Sequence, residues 1–224
     1  MSEYIRLSHT LGMDTPSYGN RDKITIQANS SIQNGDTSNT SCWLFPNNHI
    51  GTHIDVPRHF DNDGIRVSEI PLKDFFFYTI ALVDIPCDSA KLITENDFDS
   101  WTIAPHIDLL LIRTGYENLR TQASYWNNNP GLSPELAAYL RNRFPHLRCI
   151  GFDFISLTSW KYRPEGRLAH KAFLCPNDAG NSIFIIEDMS LKKINQVIKE
   201  VIAIPLYVED GNGAPVTVFA EINN

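Results

Sequence analysis

The chain has 224 residues, of which 42% are hydrophobic and 20% charged, and a formal net charge of −7. That length and composition describe one packed globular domain spanning 1–224 and exclude a disordered chain. The acidic balance argues against nucleic acid and anionic membranes as partners, because both select basic patches that displace counterions.

In chain order, EYIRLSH, KITIQA and SCWLF come first, short and rich in β-branched and aromatic residues, and each predicts a strand. Before the third lies SSIQNGDTSNT, a polar, turn-forming stretch that reads as an exposed loop. FFFYTIALVDIP is the most apolar segment; it is too short to span a bilayer and reads as a buried strand. Its Phe75, Phe76 and Phe77 belong to the core or to a subunit interface. The continuous apolar runs YTIALVDI, IDLLLIRTG, CIGFDFI, SIFIIED, VIAIPLYV and VTVFAEI fit strands buried on both faces.

Helices are expected between them. SPELAAYLRNRF has Ser133 as N-cap, Pro134 at the first helical position, and Leu136, Tyr139, Leu140 and Phe144 along one face. SLKKINQVIKE and RLAHKAFL predict two more. Strands dominate the first half and alternate with helices in the second, so an α/β fold with a mixed β-sheet flanked by helices is expected. Cys42, Cys87, Cys149 and Cys175 form no CxxC pair and read as reduced thiols. With no cationic stretch and apolar run at the start, a cytoplasmic location is expected.

One stretch stands apart. NNHIGTHIDVPRHF, residues 47–60, carries His49, His53, Asp55 and His59 together with Gly51 and Pro57, which disfavour a helix. Counted from His49, the offsets are all even, so extended backbone would turn these groups to one side. Imidazole and carboxylate without thiolate suit Zn²⁺ or Mn²⁺ in a reactive site better than a closed structural zinc. A carboxylate flanked by histidines can also bridge two ions. Trp43, Phe45, Trp160 and Tyr162 are candidates to line a substrate pocket. Asp153 either fixes a histidine tautomer or is a structural acceptor. No GxSxG elbow, Walker loop or dinucleotide GxGxxG supports a serine hydrolase, kinase or dehydrogenase.

The string His49-x-Gly51-Thr52-His53-x-Asp55-x-Pro57-x-His59 resembles the signature of the cyclase family, which includes bacterial kynurenine formamidases (arylformamidases) and isatin hydrolases. LSHTL near the start, GFDFIS at 151–156, AHKAFL around His170, IIEDMSL around Glu187 and the closing PLYVEDGNGAPVTVFAEI are similar to further family motifs. The resemblance therefore spans most of the chain. It implies that His49, His53 and Asp55 hold a first metal, and that Asp55 bridges to a second completed by His170 and Glu187. His59 would be the general acid/base. It further implies the family's swivelling α/β fold, homodimers or homotetramers, and two Zn²⁺ ions or Mn²⁺.

The implied reaction is attack of metal-activated hydroxide on the carbonyl of a small aromatic amide such as N-formylkynurenine. Alternatives are an isatin-type lactam hydrolase with one Mn²⁺, a metal-dependent lyase or cyclase, and a metal-binding protein without turnover. The chain departs from the family in places. PSYGNRD stands where family formamidases carry a Trp-Pro-Gly-Asp-like stretch, which puts Tyr18 in the place of the pocket Trp. The family's Asp after GxDxxS is Thr158 here, and its Asn after the Glu is Asp188. Glu187 lies seventeen positions after His170, and CPNDAGNS reads as an insertion beside the site.

Overall fold

In the computed structural model, which describes residues 3–175 and 180–223, the apolar runs line up in one large mixed sheet. In chain order the strands are β1 (Glu3–Arg6), β2 (Thr25–Ser30), β3 (Thr40–Leu44), β4 (His53–Asp55), β5 (Phe76–Phe77), β6 (Ile80–Asp84) and β7 (Leu92–Ile93). They continue with β8 (Leu109–Arg113), β9 (Gly131–Leu132), β10 (Cys149–Phe152), β11 (Phe184–Glu187), β12 (Ile198–Pro205) and β13 (Gly213–Ile222). Three helices accompany them: α1 (Ser124–Asn127), α2 (Pro134–Arg143) and α3 (Arg163–Leu174).

The large sheet runs β5-β12-β13-β4-β11-β10-β8-β6, with β1 added alongside β13. β6, β8, β10 and β11 pair in parallel; β4, β13, β12, β5 and β1 join by antiparallel ladders. Only residues 78 and 79 separate β5 from β6, so the two ends of this path are tied together and the sheet nearly closes. β2 and β3 form a separate exposed ribbon, and β7 pairs with β9.

Alternation along the parallel strands explains why their sequences are apolar throughout. Leu110, Ile112, Ile150, Phe152 and Ile185 enter one core with Leu136 and Leu140 of α2 and Phe173 of α3. Leu109, Leu111, Cys149 and Ile186 enter a second core with Ile54, Val201 and Val218. Both faces of these strands are buried, as the uninterrupted runs imply. Phe75 and Phe77 are fully buried in the second core. Among the described residues, no helix is long and apolar enough to cross a membrane.

The predicted helix over SLKKINQVIKE does not form; the backbone is irregular until β12 begins at Ile198. Leu191 and Ile194 are buried as their pattern demanded. Their backbone, however, is satisfied by side chains. The Glu117 carboxylate accepts the N–H groups of Leu191 and Lys192 at 2.5 and 2.9 Å, and Arg113 donates to the Ile194 carbonyl at 2.6 Å. With those groups engaged elsewhere, helical hydrogen bonding has no remaining advantage. RLAHKAFL, by contrast, is the end of the longest helix, α3, which starts at Arg163 with Pro164 in its first turn. Residues 176–179 of CPNDAGNS lie outside the described residues.

Candidate metal centre

β4 sits between β11 and β13, and its register sets His53 opposite Glu187 and Asp55 opposite Gly213. His53 and Asp55 share one face of this short strand, while Ile54 turns into the second core. Extended backbone therefore accounts for His53 and Asp55 alone. His49 arrives from a turn at Gly51, whose φ is +64° and where any Cβ would run into Leu11. His59 arrives from a 3-10 turn, Pro57–His59, opened by the proline. His170 projects from α3.

Each of the deeply buried histidines has one nitrogen committed to a carbonyl. His53 Nδ1 donates to the Gly51 oxygen at 2.8 Å, and His170 Nδ1 to the Gly166 oxygen at 2.9 Å, with Thr158 Oγ1 3.1 Å away. That leaves both Nε2 lone pairs pointing at two buried carboxylates. His53 Nε2 lies 3.4 Å from both Asp55 Oδ1 and Glu187 Oε2. His170 Nε2 lies 3.5 Å from Asp55 Oδ2 and 3.4 Å from Glu187 Oε1. Glu187 is further steadied by the Leu157 N–H at 2.7 Å.

His49 has the opposite tautomer. Its Nε2 lies 2.8 Å from Asn212 Oδ1, which also accepts from Asn48 Nδ2 at 2.7 Å. The Asn48 amide nitrogen is itself identified by its bond to the Gly213 carbonyl at 2.9 Å. The proton is thus on Nε2, and the Nδ1 lone pair meets Asp55 Oδ1 at 2.7 Å. Asp55 is common to two groups, His53–Asp55–Glu187 and His49–Asp55–His59, in each of which the candidate ligand atoms lie within 4.8 Å of one another. The donors are nitrogen and oxygen only, with His53, Asp55 and Glu187 buried and His49 and His59 partly so, a set that fits Zn²⁺ or Mn²⁺.

The charges follow the same logic. Burial alone would lower the pKa of His53 and His170, but hydrogen bonding and charge from Glu187 and Asp55 outweigh it and lift them to about 9 and about 10. Burial alone would raise Asp55 and Glu187; the surrounding histidines reverse that and hold both below the usual carboxylate range. His59 behaves differently. Burial pushes it down to about 4, and its ring makes no hydrogen bond among the described residues. It stacks on His49 with ring centroids 4.0 Å apart.

These groups form the floor of an open cavity of about 390 Å³, with Tyr18 and Phe60 in its wall. Tyr18 packs on Trp160 at 5.0 Å between centroids. The pocket roles expected for Trp43 and Phe45 are not what the structure places there. Trp43 is 65% exposed on the β2–β3 ribbon, Phe45 is 37% exposed just beyond it, and neither lines the cavity. Tyr162 is exposed as well. Asp153 touches no histidine; it accepts from Thr114 N, Thr114 Oγ1 and Gly115 N, tying the end of β10 to the end of β8. The tautomers of His53 and His170 are fixed by main-chain carbonyls instead, and that of His49 by the Asn212 side chain.

Several contributors escaped the sequence reading. Asn212 lies in the DGNG turn just before β13. Asp188 adopts φ +53° and is buried against Arg120, which donates to its carboxylate at 2.9 and 2.7 Å, and against the Tyr125 hydroxyl. Its carbonyl accepts from Thr52 Oγ1 at 2.5 Å, which links the turn before β4 to the end of β11. Arg21, Arg163 and Arg167 also line the cavity; the signal was the spacing of Arg163, Arg167 and His170 on one helix face.

Gly166 carries the carbonyl that orients His170, and it is tightly packed. A Cβ there would lie 2.6 Å from Thr158 Cα and collide with Thr158 Oγ1. Gly166→Ala is expected to destabilise the chain by about 1–3 kcal/mol, because α3 must move away. Chemical denaturation measures this, and a variant as stable as the parent would contradict the packing.

Residues 5–158 match the family model named Cyclase. Among curated relatives, a kynurenine formamidase from Geobacillus thermodenitrificans is 33% identical over 172 residues, covering 75% of this chain and 73% of that protein. One from Bacillus mycoides is 26% identical over 215 residues, covering 96% and 95%. Among solved structures, an isatin hydrolase bound to the product analogue thioisatinate superposes with a TM-score of 0.81 at 19% identity, covering 100% of this chain and 93% of that one. With a family match over more than half its length and the motif built into one buried centre, this chain belongs to the cyclase family.

Proposed function

We propose that the protein is a metal-dependent hydrolase that cleaves the C–N bond of a small formamide or related amide. The observation that carries this reading is the buried Asp55–Glu187 pair, bracketed by the Nε2 atoms of His53 and His170 at the floor of an open cavity. The relatives named as kynurenine formamidases support the formamide substrate, with an aromatic ring against Tyr18. His53, Asp55, His170 and Glu187 would hold one divalent ion, Zn²⁺ or Mn²⁺, and His49 with the shared Asp55 a second. When bound, such an ion acts as a Lewis acid, lowering the pKa of water from 15.7 towards roughly 7 and polarising a carbonyl.

The chain's own residues do the rest. His53 and His170 are held by backbone carbonyls in the one tautomer that leaves Nε2 available. His59, neutral and without a hydrogen-bond partner beside His49, takes a proton from water and returns it to the leaving nitrogen. His59→Ala is expected to lower kcat on formanilide by roughly a hundredfold or more while metal content stays unchanged. Loss of metal along with activity would make His59 a ligand instead, and unchanged kcat would remove it from the mechanism.

Proton counting tests the metal site without turnover. In chelator-treated protein near neutral pH, His53 and His170 carry protons because their pKa values, about 9 and about 10, are raised. Adding Zn²⁺ must displace these protons, so about two are released. The sign sets the pH dependence: release shrinks towards zero as pH rises through the same two values, because the rings are then already neutral. Release that is absent near neutral pH, or that grows with pH, would contradict the ligand assignment.

A further inference from the structure

The turn at residues 210–213 builds a seat for the His49 ring. Asn212 Oδ1 accepts from His49 Nε2 at 2.8 Å. Gly213 touches the ring by having no side chain: a Cβ there would lie 2.5 Å from His49 Cε1 and 2.8 Å from the Ile54 oxygen. The imidazole therefore rests on bare backbone at the start of β13, an approach that only glycine permits. The Asn212 amide is itself held, because Asn48 Nδ2 donates to its Oδ1 at 2.7 Å and to the Gly213 carbonyl at 2.9 Å. The backbone of the turn is pinned as well. Val56 N–H donates to the Asn212 carbonyl at 3.4 Å, Val67 N–H to that of Gly211 at 2.9 Å, and Arg66 Nε to the Asp210 carboxylate at 2.6 Å.

His49 thus differs from the other two ligand histidines in how it is aimed. His53 and His170 donate to main-chain carbonyls two and four residues away, Gly51 and Gly166, on their own segments. His49 donates to a neutral side-chain amide 163 positions away. It is also the most accessible of the three, with its side chain 16% exposed against 4% and 6%. The acceptor of the second ring N–H fixes the orientation of a ligating imidazole and tunes its basicity. An uncharged amide does so more weakly than a carboxylate.

We infer that Asn212, held by Asn48, is the positioning residue that commits His49 to ligation through Nδ1, and that it sets the affinity of the outer ion separately from that of the inner one. The outer ion is the one held by His49 and Asp55; the inner one lies among His53, Asp55, His170 and Glu187. This rests on the two-ion, metal-dependent reading given above and adds an inequality to it: the outer ion is the exchangeable one.

The test titrates Zn²⁺ into chelator-treated protein against a fluorescent zinc indicator and reads two dissociation constants. In Asn212→Leu the weaker constant is expected to rise about 10–100-fold, while the tighter one, filled first, changes less than about threefold. Asn212→Asp keeps the acceptor and adds charge, and it is expected to hold the weaker constant at the parent value or below. In the zinc-loaded parent, long-range ¹H–¹⁵N correlation spectra are expected to show His49 ligated through Nδ1 with its proton on Nε2. Ligation through Nε2 overturns the inference. So do unchanged constants in Asn212→Leu, and so does a parent that takes up one zinc only. A loss at both sites that Asn212→Asp shares also overturns it, since the turn is then merely structural. Turnover separates this inference from the hydrolase reading. If formanilide is inert while the zinc constants behave as expected, the hydrolase reading fails alone. If formanilide is hydrolysed and Asn212→Leu keeps the parent constants, the role of Asn212 fails alone.

Discussion

Asp55→Asn is expected to lower formamide hydrolysis by on the order of a thousandfold and to strip the protein of most of its metal. The substitution preserves shape and changes charge. Asp55 is buried, its Oδ1 faces His49 Nδ1 at 2.7 Å and His53 Nε2 at 3.4 Å, and its Oδ2 faces His170 Nε2 at 3.5 Å. Among the described residues no other carboxylate meets all three rings, so an amide there removes the member shared by both candidate groups. Elemental analysis of the purified variant, alongside kcat on formanilide, measures the outcome. Full metal content with normal turnover would refute the shared role of Asp55, and with it the two-ion arrangement.

Arg120→Met is expected to produce the largest loss of stability, about 3–5 kcal/mol. It leaves the Asp188 carboxylate, 1% exposed, without the guanidinium that neutralises it. For a chain of this length the loss corresponds to a fall in melting temperature of roughly 6–20 °C. The double variant R120M/D188N should recover part of it, because the uncompensated charge is then gone; the recovery measures the coupling directly. If Arg120→Met melts with the parent, the pair is not the anchor of the turn that follows Glu187. A structural anchor predicts one thing more. Ligand binding in the double variant should weaken less than its stability, since no atom of Arg120 lines the cavity.

Most strands were legible because burial on both faces leaves a continuous apolar record, as in IDLLLIRTG and CIGFDFI. The residues that converge in the candidate metal centre were legible because chemistry restricts such groups to a few residue types at fixed positions. What escaped has a common cause. SLKKINQVIKE has helical spacing, yet Glu117 and Arg113, far away in sequence, take its backbone groups. Trp43 and Phe45 lie next to the motif in sequence, but the ribbon carries them outward into solvent. Asn212 and the arginines matter only through their distance from His49, His170 and one another, which periodicity does not encode. The even spacing of His49, His53, Asp55 and His59 suggested the correct convergence through a partly incorrect path. Extended backbone holds only the middle pair, and the turns at Gly51 and Pro57 deliver the outer two.

The position of β4 has a kinetic consequence. This three-residue strand is too short to persist alone, and its partners, β11 and β13, are synthesised near the other end of the chain. Its His53 therefore meets Glu187, 134 positions away in sequence, only after one of the longer loops in the molecule has closed, the slow class of event in folding. Metal capture should lag behind the formation of the parallel strands and helices during refolding. A metal-sensitive probe would then report completion of the native topology, and an ion bound there would act as a final latch on a chain that has already found its path.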